Sequence, residues 1–173
     1  LEEFLVRSDR FHALRVGTSE EEVFSRGNKQ RIIFHPHCHQ RAEGLADDGI
    51  SSGTNATAEV LRACGYDVEV TDAGCCGMSG SFGFEAGHYD LSMRIGELKL
   101  FPILAPSRPP PNTKEDKRKL VNDPNSFLGE GPALGVIVST GAACRMQIRH
   151  GVGREAVHPI MLVAERLRNV RIS

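Results

Sequence analysis

The chain has 173 residues, 40% of them hydrophobic and 25% charged, with a formal net charge of −1. That length suits one domain with a real hydrophobic core, and the balanced charge gives no footprint for nucleic acid. No apolar run approaches the roughly 20 residues of a membrane span, no secretory pattern opens the chain, and the first residue, Leu1, points to a piece of something longer.

Residues 1–30 are polar, with Leu1, Phe4, Leu5, Phe11 and Leu14 as scattered anchors, and read as a peripheral arm. Arg31-Ile32-Ile33-Phe34 is a short β-branched run that reads as a buried strand. It must end by Pro36, which cannot donate to a central ladder. His35-Pro36-His37-Cys38-His39-Gln40 follows as a loop rich in potential ligands. Thr54 to Cys64 has helical spacing, with Ala58, Val60 and Leu61 inward, Ser52 or Thr54 as the cap and Gly65 past the end. Tyr66 to Thr71 alternates apolar and polar residues and predicts a second strand. It runs into Gly74-Cys75-Cys76-Gly77-Met78-Ser79-Gly80-Ser81-Phe82-Gly83.

From about Glu85 to Leu104 the pattern predicts one helix, with Leu91, Ile95 and Leu98 sharing a face and Pro102 near its end. Residues 105–132 carry a Pro-rich stretch and the charged run Lys114 to Lys119, and read as a surface loop insertion. Ala133 to Ser139 predicts a third, central strand, leading through Gly141 to Cys144 and a helix over 145–150. Ala156-Val157-His158 suggests a fourth strand, and Pro159 opens a final amphipathic helix. Strands alternating with helices predict an α/β fold, a small parallel sheet with covering helices over 31–173.

In such a sheet, sites gather beyond the carboxyl ends of the strands. Cys38 follows the first strand, Cys75 and Cys76 the second, and Cys144 the third, so four thiols should converge on one edge. Cys64 lies at a helix end and reads as packing. Vicinal cysteines make a strained disulfide and a cramped chelate for one tetrahedral ion. Neighbouring irons of a [4Fe-4S] cluster suit them better, with zinc left open. Gly74, Gly77 and Ser79 lie where backbone N–H groups can cradle an anionic cluster. His37 and His39 flank Cys38 and suit hydrogen bonding to sulfur more than ligation.

Cys38, then 36 intervening residues, then Cys75-Cys76-Gly77 resembles the cysteine-rich CCG domain. That domain occurs in heterodisulfide reductases, in glycolate oxidase iron–sulfur proteins and in lactate-utilisation proteins. Gly74 to Ala86, His88 to Met93, His35 to Gln40 and Cys144-Arg145-Met146-Gln147-Ile148 are similar to the C-terminal part of fused FAD-linked oxidase/iron–sulfur proteins. These include D-lactate and D-2-hydroxyglutarate dehydrogenase-like enzymes. The resemblance implies an iron–sulfur electron-transfer module of a flavin-dependent 2-hydroxy-acid dehydrogenase, cytoplasmic or peripheral at the inner face of a membrane. It implies FAD and ferredoxin-type domains elsewhere in the protein or complex, and an acceptor such as a quinone. The family pattern often closes with two cysteines separated by two residues; here the earlier position is Gly141, so the carried-over ligands are Cys38, Cys75, Cys76 and Cys144. Two other readings stand beside this one: a zinc-binding structural or docking domain, and a cysteine-nucleophile enzyme using His37 or His39 as base.

Overall fold

A computed structural model describes residues 5–8, 30–105 and 135–169. Most of the expected arm and of the 105–132 insertion therefore lies outside the described residues. In chain order the elements are β1 (Arg31–His35), α1 (Cys38–Ala42), α2 (Gly53–Ala63), β2 (Asp67–Val70), a 3-10 turn (Phe82–Phe84), α3 (Tyr89–Leu98), α4 (Leu100–Leu104), β3 (Val136–Ser139), α5 (Ala142–Val152), β4 (Ala156–Val157) and α6 (Pro159–Asn169).

The four strands form one sheet in the order β2-β1-β3-β4, and every pairing is parallel. β1 and β3 are central, which is why Ile32, Ile33, Phe34, Ile137 and Val138 are apolar without alternation. Side chains alternate across the strands and supply two cores. Ile33 and Ile137 face Met78, Met93, Leu100, Phe101, Leu104 and Ile148 from α3, α4, α5 and the loop after β2. Ile32, Phe34 and Val138 face Ala58, Leu61, Leu162 and Val163 from α2 and α6, with Leu5 and Val6 packed against this side. Burying one such large side chain contributes about 1.5–3 kcal/mol, so the two faces hold the sheet jointly.

The single helix expected over 85–104 is two helices. A continuous helix would drive the Pro102 ring against the carbonyl of Leu98. The chain instead leaves helical geometry at Lys99 (φ −142°), and Pro102 sits in the first turn of α4. The buried face of α3 also differs from the expected one. Leu91 and Leu98 are 50% and 78% exposed, whereas Ser92, Met93 and Gly96 are buried. Small residues point inward because the neighbours approach closely. A Cβ at Gly96 on α3, or at Gly151 on α5, would collide with the ring of Phe101. Phe101 thus sits between two bare backbones and brings α3, α4 and α5 together. At the start of α2, Ser52 is the cap residue but makes no capping hydrogen bond with its side chain; its hydroxyl donates to the Gly44 carbonyl.

Gly151→Ala is expected to cost about 1–3 kcal/mol by overpacking, and Phe101→Ala about 3–5 kcal/mol by leaving a cavity. In urea unfolding, Gly151→Ala combined with Phe101→Leu should recover part of the first loss. Strict additivity would show that the ring and the glycine do not touch.

Candidate metal centre

The site lies at the carboxyl edge of the sheet, where three neighbouring strands end. β1 ends at His35 and turns through Pro36 into α1, whose first residue is Cys38. β2 ends at Val70 and passes through Thr71 into the loop bearing Cys75 and Cys76. β3 ends at Ser139, and Cys144 lies in the first turn of α5. Hydrogen bonds join these three exits. Arg41 Nη2 donates to the Thr71 carbonyl at 2.6 Å, and Thr140 Oγ1 donates to Gln40 Oε1 at 2.7 Å. Arg145 Nη1 donates to the carbonyls of Ser139 and Thr140.

The loop after β2 is held from behind. Gly77 has φ +96°, and a Cβ there would run into the Ser92 carbonyl. That carbonyl and the Ser92 hydroxyl each take a 3.0 Å hydrogen bond from Gln147 Nε2, deep between α3 and α5. Gln147 lies one turn beyond Cys144 on α5. The cysteine loop and the Cys144 helix are therefore fixed to one buried contact.

All five cysteines are free thiols. Cys38 and Cys75 are exposed, while Cys76 and Cys144 are 5% and 2% exposed. Cys76 and Cys144 are hydrogen-bonded sulfur to sulfur. That contact, helped by His35 and the Met78 backbone N–H, draws the Cys76 thiol well below the ordinary range despite its burial. Cys144 is pushed up by the same hydrogen bond, by burial and by the charges on Cys76 and Cys38, with Ser139 pulling the other way. The pair holds one proton, with the negative charge on Cys76. Cys75 Sγ accepts the Gly77 N–H at 3.3 Å. Cys64 lies in the other core, across the sheet, where burial raises its pKa.

Of the residues expected to cradle a cluster, Gly77 gives its N–H to Cys75. Ser79 has φ +43°, and its carbonyl accepts the Phe82 N–H. Gly74 has φ +68° and open space around it. The expected helix does not follow this loop directly, since α3 begins only at Tyr89. His37 and His39 lie edge to face, 5.1 Å apart. They line a cavity of about 700 Å³ with Gln40, Thr140, Gly141 and His158. A Cβ at Gly141 would lie 2.7 Å from the His37 ring and 2.9 Å from Cys144 Sγ, so this cavity reaches the thiol site. His158 acts as a cap, its Nδ1 accepting the Ile160 N–H.

Among the described residues no three His, Cys, Asp or Glu side chains stand together as ligands for a single ion. Soft thiols on three strand exits, two of them in contact, suit a sulfur-liking metal. Ligands spread along an edge suit a centre of several metal atoms better than one tetrahedral ion. Two residues that the pattern of the sequence does not single out, His35 and Ser139, lie against the buried sulfurs. Each ends an apolar strand, and strand pairing is what reveals them.

The fold and its edge define a parallel α/β domain with a cysteine-lined centre. No protein-family profile matches the chain, and no solved structure matches it. Over 138 residues, 79% of the chain, it is 25% identical to the C-type component of the anaerobic glycerol-3-phosphate dehydrogenase of Escherichia coli K12 and to its counterpart in strain O157:H7. The chain spans about a quarter of the length of these relatives, 26% in each.

In metal-free, reduced protein, an alkylating reagent should modify Cys38 and Cys75 roughly tenfold or more faster than Cys64 and Cys144, because only accessible thiolates react. Peptide mapping against time reads the order. Equal rates at all five would contradict the division into rim and buried sulfurs.

Proposed function

We propose that this chain is the iron–sulfur electron-transfer module of a larger flavin-dependent dehydrogenase, holding a [4Fe-4S] cluster on Cys38, Cys75, Cys76 and Cys144. The observation that carries this reading is the contact of Cys76 with Cys144 at the edge where Cys38 and Cys75 also lie. Similarity to one component of a dehydrogenase supports it, as does the resemblance of the cysteine motifs to the CCG domain. A 2-hydroxy acid and glycerol-3-phosphate are both secondary alcohols, and oxidising either releases two electrons. When bound, the cluster supplies a one-electron station between a flavin and a one-electron or quinone acceptor.

The chain's own residues prepare that station. Cys76 offers a thiolate ahead of the others, and the Gly77 N–H stabilises negative charge on Cys75. The core around Met78, Met93 and Ile148 keeps water from one side. Cys38 and Cys75 leave the other side open to a partner domain. Flavin and ferredoxin-type domains are assigned to the rest of the protein or complex. The module works on the cytoplasmic side, held at the membrane through its partners; among the described residues no helix is long and apolar enough to cross one.

Protein prepared without oxygen should contain iron and acid-labile sulfide in equal amounts and absorb in the visible. Replacing Cys38, Cys75, Cys76 or Cys144 by Ser should remove most of the iron, and Cys64→Ser should not. Stoichiometric zinc without sulfide would replace this reading with that of a structural zinc domain. Equal losses at all five positions would overturn the choice of ligands.

A further inference from the structure

β1 and β3 each end in a polar residue after a wholly apolar run. These residues, His35 and Ser139, are paired across the two central strands. Both are 0% exposed. Side chains alternate along a strand, so His35 shares a face with Ile33, and Ser139 shares one with Ile137. Ile33 and Ile137 belong to the core that contains Cys76 and Cys144. Strand geometry alone thus sends His35 and Ser139 to the thiol side of the sheet. The electrostatics agree, since His35 acts on Cys76 and Ser139 on Cys144.

Neither residue is satisfied by the protein's oxygens and nitrogens. His35 Nδ1 lies 3.3 Å from Thr71 Oγ1, but His35 Nε2 and Ser139 Oγ are buried with no conventional hydrogen-bond partner. A buried polar atom left unpaired costs about 1–3 kcal/mol. Two such atoms, side by side under two sulfurs, make sense as donors to sulfur. If the Thr71 hydroxyl donates to Nδ1, the His35 proton sits on Nε2. Ser139 has a hydroxyl proton to give as well.

We infer that His35 and Ser139 are positioning residues. They form a two-donor floor beneath Cys76 and Cys144 that stabilises their thiolates and so tightens metal retention and raises the reduction potential of the centre. This rests on the reading of the site as a metal centre. Hydrogen bonds to ligating sulfur are among the protein's levers on cluster potential, and losing such a partner typically costs roughly 10–100-fold in metal affinity.

The test compares wild-type protein with Ser139→Ala, His35→Leu and His35→Gln, all prepared without oxygen and matched by circular dichroism. Gln keeps an N–H near the Nε2 position, whereas Leu fills the space without a donor. Two quantities are read: the rate at which a chelator strips the metal, and the one-electron reduction potential. Ser139→Ala and His35→Leu should lose metal at least about tenfold faster. Their reduction should become at least tenfold less favourable, which is about 59 mV for one electron. His35→Gln should stay near wild type. If wild-type protein holds metal and all three variants match it in both readouts, the floor is refuted while the metal centre stands. If His35→Gln behaves like His35→Leu, the His35 part is refuted and its role is shape. If wild-type protein takes up neither iron nor zinc, the metal centre and the floor fall together.

Discussion

All four strands run the same way, and the site follows from that common direction. Each strand must release its chain at the same edge, so residues distant in sequence leave side by side. The 3-residue step from Ser139 to Ala142 and the short turn from His35 to Cys38 are enough to bring ligand-capable residues together there. The sheet is also a partition. Cys64 sits in the core under α2 and α6, separated by a layer of backbone from the four other thiols. Its chemistry is that of a small apolar side chain.

What holds the edge in shape is a chain of close approaches with little apolar bulk. Gly77 lies on the Ser92 carbonyl, Ser92 is held by Gln147, and Gln147 belongs to the helix that starts beside Cys144. One turn further along α3, Gly96 receives Phe101. This sequence of contacts explains why α3 buries Ser92 and Gly96 and turns Leu91 and Leu98 outward.

The strands are legible in the sequence because Arg31-Ile32-Ile33-Phe34 and Gly135-Val136-Ile137-Val138 leave no other way to bury so many β-branched residues. The direction of the sheet follows from alternation with helices, and with it the meeting of Cys76 and Cys144. The inner face of α3 is not legible, because hydrophobic periodicity assumes that the largest apolar side chains point inward. Close packing over Phe101 reverses that rule locally. The break at Lys99 is hidden because Pro102 acts four residues upstream, on the carbonyl of Leu98. His35 and Ser139 are not legible as a pair, since their relation exists only in the register between β1 and β3. His37 and His39 draw notice by standing next to Cys38, yet they line the neighbouring cavity.

The thiols divide into two that face solvent, Cys38 and Cys75, and two that face the core, Cys76 and Cys144. Dioxygen or peroxide arriving from outside meets the rim first. Damage therefore begins at Cys38 and Cys75, where small cellular thiols also have access for repair. The inner pair, anchored through α5 and the loop after β2, is reached last. The centre is thus built to wear from its replaceable side, keeping its template for reassembly inside the fold.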